Sequence, residues 1–141
     1  MKISNYFLHL AWVIALSGMI GSLIMSEIFG WVPCVLCWYQ RILLYPLVLL
    51  IPITILRKDS SPEQIILPFS LIGVLVAFYH WLLQIGVISE AVAPCQAGIS
   101  CITTYINYFG FINIPFLSML AFGAISLLVY LNKKPRLYFT S

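Results

Sequence analysis

Four almost uncharged runs, each about as long as a bilayer is thick, constrain this chain more than any other feature. The first is YFLHLAWVIALSGMIGSLIM, Tyr6 to Met25; the others cover Trp38 to Leu56, Ile65 to Ile88 and Ile112 to Leu131. About 20 apolar residues in a helix span the hydrocarbon core of a membrane. The chain is 62% hydrophobic and only 8% charged, whereas soluble domains carry roughly 25% charged residues. So few charges leave apolar surface that only lipid can cover. The expected fold is an all-α integral membrane protein, a four-transmembrane-helix bundle with two cysteine-bearing loops, forming one domain over residues 1–141.

Lys2 ahead of the first run invites a signal-peptide reading. The apolar core is too long for a typical signal and no A-x-A site ends it, so a retained helix is expected. Pro46 and Pro52 fall inside the second run and Pro68 in the first turn of the third. Membrane helices tolerate them where neighbours satisfy the freed carbonyls. Pro115 suits the start of the fourth helix.

The basic residues set an orientation. Lys2, Arg57, Lys58, Lys133, Lys134 and Arg136 lie at the two ends of the chain or between the second and third runs. All three places are on one side of a four-helix chain, and by the positive-inside rule that side is cytoplasmic. The net charge of +3 is therefore spread over helix ends. It forms no basic strip that would suit nucleic acid. The loops around residues 26–37 and 89–111 then face outward, from a bacterial cytoplasmic membrane crossed several times.

All four cysteines sit in or beside those outward loops: Cys34 and Cys37 in the first, Cys95 and Cys101 in the third. Thiols outside the cytoplasm tend to be oxidised, so Cys34 with Cys37 and Cys95 with Cys101 are natural pairs, although spacing alone leaves other connectivities open. In a helix beginning near Pro33, Cys34, Cys37, Arg41 and Tyr45 share one sector. A helix N-terminus and a nearby guanidinium both favour a thiolate, the species that attacks and leaves in disulfide exchange. Arg41 alone would read as a snorkelling side chain; a C-x-x-C on its face suggests that it stabilises charge produced by redox turnover. Zinc would require both pairs to converge, and CQAGISC is wider than a zinc knuckle, so no metal ligand set is assigned. A two-residue loop is also a poor staple, because closing it removes little chain entropy.

The third loop carries Pro94, Gly98 and Ser100, which suggest an exposed, adaptable backbone around the Cys95 and Cys101 pair. Its TTYINYFGFINIPF segment reads first as an aromatic belt with no other task, and second as a segment lying flat at the interface. A lone histidine in an apolar helix usually packs. His80, though, lies about two turns from the outer end of its run, with Gln84 one turn further out on the same face. There it would be placed to deliver a proton or to hydrogen-bond a carbonyl. His9 lacks such neighbours and reads as interfacial.

PCVLCWYQR, YHWLLQ and the later cysteine pair together resemble the DsbB family of quinone-dependent thiol oxidases, especially its small BdbC-type members. The resemblance spans almost the whole chain. It implies an enzyme that re-oxidises a DsbA-like thioredoxin-fold partner and sends the electrons to menaquinone or ubiquinone in the membrane. It further implies that Cys95 is attacked by the partner, with Cys101 its mate. Cys34 and Cys37 would form the quinone-coupled pair, Cys37 touching the quinone, Arg41 supporting that contact and His80 lying near it; Gln84 keeps the family spacing. Two features depart from better-known members. Five residues separate Cys95 from Cys101 where longer members hold a much longer loop, so an inter-loop disulfide is not carried over. Gln40 stands where some members have an acid, so no carboxylate partner for Arg41 is carried over. Vitamin K epoxide reductase-type enzymes place their C-x-x-C on a late helix, and here it opens the second. The alternative from another class is a disulfide-stapled membrane scaffold or transporter accessory subunit, which would keep its cysteines oxidised whatever the quinone supply.

Overall fold

The computed structural model describes residues 2–58, 61–93, 95 and 100–132. Lys133, Lys134 and Arg136, used above for orientation, lie outside the described residues, as do Pro94 and Gly98. The helices are α1 (Lys2–Glu27), α2 (Val35–Leu56), α3 (Glu63–Gln84) and α4 (Ile114–Leu131), each long and apolar enough to cross a membrane. α1 and α3 each pack against both α2 and α4, so the four close into a ring. Its core is small and aliphatic, with Ala11, Ala15, Leu47, Ile51, Ile66 and Ile125 packed around Phe122. Leu49, Leu75, Leu120 and Leu127 point away from it, as expected where lipid replaces a protein neighbour.

With no water in the hydrocarbon core, each freed backbone group must find a protein partner. Pro52 has no N–H to give the carbonyl of Val48, its i−4 residue. The Trp12 indole Nε1 of α1 donates to that carbonyl instead, at 3.0 Å. On the opposite side Ser126 Oγ donates to Ser70 Oγ at 2.8 Å, joining α4 to α3. Next to it the Phe122 ring lies against Gly73 so closely that a Cβ there would fall 2.4 Å from the ring.

α3 stops at Gln84, four residues short of the apolar run that marks it in the sequence. Gly86 takes φ +80, and the Gly86 and Val87 amides bond back to the carbonyls of Leu83 and Leu82 at 3.2 and 3.0 Å. This is a Schellman stop, which needs a left-handed residue that glycine supplies at little cost. Val87 and Ile88 are apolar but belong to the loop. α4 likewise begins at Ile114, after Asn113 caps it by accepting from the Phe116 amide at 3.2 Å.

The loop between α3 and α4 contains a 3-10 turn (Glu90–Val92) and a small antiparallel hairpin, β1 (Asn107–Tyr108) with β2 (Ile112–Asn113). Its aromatics are not a belt without a further task. Tyr105 stacks on Trp31 of the first loop, centroids 4.9 Å apart, and its hydroxyl donates to the Val32 carbonyl at 3.3 Å. Trp81 Nε1 donates to the Phe111 carbonyl at 3.0 Å, holding the hairpin against α3. The two cysteine-bearing loops therefore meet at one end of the bundle.

The Gly73 contact generates a paired prediction. Gly73→Ala should destabilise the detergent-solubilised protein by about 1–3 kcal/mol, because a whole ring must shift. Gly123→Ala on α4, whose added Cβ meets nothing within 4 Å, should change the thermal unfolding midpoint little or raise it. Equal loss in both variants would contradict the packing described.

Candidate functional site

Where the two loops meet, a cavity of about 250 Å³ opens between the helices. Its polar end is formed by Cys34, Cys37, Gln40, Arg41, His80 and Gln84, and its apolar wall by residues such as Gly21, Leu44, Leu117 and Ala121. The sequence-derived residues Cys34, Cys37, Arg41, His80 and Gln84 are thus brought together. Cys95 and Cys101 pack beside them, in a cluster with Cys34, Leu36, Leu83 and Ala93.

Cys34 is the N-cap of α2, with extended backbone (ψ 173), and its carbonyl accepts the first helical bond from the Trp38 amide at 3.0 Å. Cys37 lies one turn on. Both are free thiols, their sulfurs 3.4 Å apart. Cys34 precedes the membrane-spanning part of α2. The hydrogen bond it shares with the Cys37 thiol holds its pKa far below the usual thiol range, at about 4; burial opposes this, and His80 adds to the lowering.

His80, 1% exposed, is the hub. Gln40 Nε2 donates to its Nδ1 at 3.1 Å, which leaves the ring proton on Nε2 in the neutral imidazole. Nε2 in turn lies 3.6 Å from Cys34 Sγ and 3.2 Å from the Cys101 carbonyl oxygen. One imidazole therefore touches a member of each cysteine pair. Gln84 Nε2 donates to the same Cys101 carbonyl at 3.3 Å, while Gln84 Oε1 is buried with no partner among the described residues.

Arg41 behaves otherwise than expected from the thiol sector alone. Its Nε and Nη2 donate to the hydroxyl and carbonyl of Ser22 on α1, at 2.7 and 2.8 Å. Its guanidinium also lies 5.3 Å from the Trp38 ring centroid. These contacts hold the cation at the cavity wall. Tyr45 keeps to the sector but not to the site: it packs against the helix core, and its buried hydroxyl has no hydrogen-bond partner among the described residues. An offset of 11 residues carries it about three turns deeper than Cys34.

The outer pair also differs from expectation. Cys95 and Cys101 form a disulfide, but they are 4% and 1% exposed rather than open to solvent. The bridge sits on Leu83 and Ala93, and Ser100 Oγ donates to Glu90 Oε1 to hold the loop down. Apolar neighbours favour sulfur over water, and polar loop letters do not report that. Gln40 is the functional residue that the sequence reading undervalued. Its signal was its place three residues after Cys37, one turn along the same face of α2, with an amide in an otherwise apolar run.

Cys34 Sγ, Cys37 Sγ and an imidazole nitrogen of His80 all lie within 4.8 Å of one another, so the third donor beside the C-x-x-C is a histidine and not the second cysteine pair.

The family model for disulfide bond formation protein DsbB matches residues 4–132. Disulfide bond formation protein C of Bacillus subtilis (strain 168) is 44% identical over 133 residues, covering 94% of this chain and 96% of that protein. Probable disulfide formation protein C 2 of Bacillus anthracis is 45% identical over 134 residues, 95% of each. A probable disulfide formation protein of Oceanobacillus iheyensis is 45% identical over 122 residues, 86% of this chain and 84% of that one. No solved structure matches the chain.

The Cys34 environment predicts the reactivity of the reduced pair. Its alkylation rate by iodoacetamide should stay nearly flat from neutral pH downward and fall only as pH approaches about 4, where the thiolate is protonated. An ordinary thiol loses about tenfold in rate for each unit below about 8.5. Mass-spectrometric mapping of the labelled cysteine checks this; a rate at Cys34 that falls tenfold per unit from pH 8 would contradict it.

Proposed function

Since the chain belongs to the DsbB family of membrane disulfide-bond-formation proteins, we propose that it re-oxidises an extracytoplasmic DsbA-like thioredoxin-fold thiol oxidase and passes the electrons to membrane quinone. Residues 1–141 act as one membrane domain, with both ends on the cytoplasmic side and the cysteine loops outside. The observation that carries this reading is the position of His80 between the two sulfur couples, against Cys34 Sγ and the Cys101 carbonyl.

The electrons balance in two exchanges. A partner thiolate attacks Cys95, the Cys95–Cys101 bond breaks, and the second partner thiol closes the partner's disulfide, leaving Cys95 and Cys101 reduced. That dithiol then reduces the Cys34–Cys37 disulfide and is itself restored to a disulfide. Two electrons and two protons now rest on the inner pair. The structure, with Cys95–Cys101 bonded and Cys34 and Cys37 free, has the covalent pattern of that stage. His80 holds a proton at Nε2 between the couples and moves it as sulfur charge appears and disappears.

A quinone supplies the acceptor for those two electrons and protons, and the residues present fit one. The cavity of about 250 Å³ joins the free thiols to an apolar wall. At Gly21 a Cβ would meet nothing within 4 Å, so the wall is left open there. Gln84 Oε1, a buried acceptor with no donor among the described residues, would accept from a ring hydroxyl of the reduced form. Arg41, anchored by Ser22, would orient a ring oxygen, with Cys37 as the contacting sulfur. Menaquinone and ubiquinone share this chemistry.

Purified protein mixed with a reduced DsbA-like partner and soluble quinone should consume quinone in step with the partner thiols oxidised. No quinone loss with both disulfides intact would reject the function and favour a stapled scaffold. Arg41→Ala should raise the quinone KM about tenfold, ~1.4 kcal/mol, and change partner exchange less than about twofold. A side chain placed in the open wall tests the cavity separately. Gly21→Leu should fold normally yet lose quinone consumption while still exchanging with the partner; unchanged quinone use would place the acceptor elsewhere.

A further inference from the structure

The two inner thiols and His80 form a donor set that the redox reading uses only in part. Cys34 Sγ is 3.4 Å from Cys37 Sγ and 3.6 Å from His80 Nε2, and the donor atoms all lie within 4.8 Å of one another. In a tetrahedral zinc site, bonds of about 2.3 Å to sulfur and about 2.0–2.1 Å to nitrogen make S···S edges of about 3.8 Å and S···N edges of about 3.6 Å. One observed edge already matches and another differs by a few tenths of an ångström. The third, at most 4.8 Å, closes within reach of a rotation of Cys37 about its own side-chain bonds.

We propose that the reduced pocket captures one thiophilic divalent cation, of the Zn(II) or Cd(II) class, through Cys34 Sγ, Cys37 Sγ and His80 Nε2. Capture leaves both sulfurs deprotonated, releasing to solvent whatever thiol proton the pair still holds, and moves no electrons, and the oxidised pair, with both sulfurs in a disulfide, offers no site. The cation therefore binds one redox state and holds the pair in it.

The surroundings favour this chemistry. A metal-bound imidazole donates its other N–H to an acceptor that fixes its orientation. Gln40 faces Nδ1 at 3.1 Å through its amide nitrogen. A flip of that amide presents Oε1 as acceptor, puts the ring proton on Nδ1 and frees Nε2 for the metal. Gln84, with its buried unpaired Oε1, lines the same cavity and supplies an acceptor for a water in the fourth position. Soft sulfur donors select Zn(II) and Cd(II) over Mg(II) or Ca(II).

The proposal stands on the geometry of the free thiols and needs no quinone. The full chain in detergent is reduced with a phosphine, freed of reductant and titrated with Cd(II), read by the sulfur-to-metal charge-transfer band. One equivalent should bind the inner site of the reduced protein and none that of the untreated oxidised protein. Mapped alkylation should show Cys34 and Cys37 protected by Cd(II) while Cys95 and Cys101 remain reactive. Loading should slow oxidation of the inner pair by diamide at least about tenfold. His80→Ala should weaken binding by about tenfold or more. Gln40→Leu should weaken it about 10–100-fold, the usual effect of losing such a partner, and Gln40→Glu should strengthen it. Equal binding by the oxidised protein, protection confined to Cys95 and Cys101, or affinity unmoved by both His80→Ala and Gln40→Leu would overturn the site. Failure of quinone consumption would leave these results untouched.

Discussion

A polar group inside a bilayer has no water to fall back on, and this constraint orders the whole structure. Pro52 removes a donor from α2 and Trp12 of α1 replaces it. Ser126 of α4 donates to Ser70 of α3, whose hydroxyl donates in turn to the Leu67 carbonyl. At the cysteine end the same requirement is met by a connected set: Gln40 on α2, His80 and Gln84 on α3, and the Cys101 carbonyl in the loop. The hydrogen bonds that make the imidazole tolerable there also decide which nitrogen carries its proton. Solvation and chemistry are settled by the same atoms.

The loops complete this arrangement from outside. The stacked pair of Trp31 and Tyr105, with the Tyr105 hydroxyl on Val32, fastens the third loop over the first. Trp81 fastens the hairpin to α3. Fixed in this way, the Cys95–Cys101 bridge lies on the same small apolar cluster as Cys34. Arg41 is held at the cavity wall by Ser22 rather than left to snorkel, so its guanidinium lines the same cavity as the thiols.

The parts of this molecule that follow from one-dimensional pattern were legible in its sequence. Four apolar runs specify four helices because the length of a spanning helix is set by lipid thickness. The placement of Cys34, Cys37, Arg41 and His80 at one end follows from helix register and loop alternation. The end of α3 is hidden in the pattern because Val87 and Ile88 are as apolar as a helix would want; the decisive letter is Gly86, whose left-handed backbone stops the helix. The seating of the hairpin and the work of the loop aromatics depend on contacts 30 and 73 residues apart, the bonds from Trp81 to Phe111 and from Tyr105 to Val32, which no local window holds. Gln40 illustrates the same limit: its position on the thiol face is local, but its meaning comes from His80, 40 residues away.

The burial of the outer disulfide has a consequence for selectivity. A bridge 4% and 1% exposed, packed on Leu83 and Ala93, is shielded from small thiols that drift past, because its sulfurs offer little open surface for in-line attack. A visitor that reaches a sulfur must offset the cost of uncovering it with contacts of its own. Discrimination between a protein dithiol and the ambient low-molecular-weight reductants is then a matter of mechanical access, and it leaves the intrinsic oxidising strength of the bridge free to be set by other means.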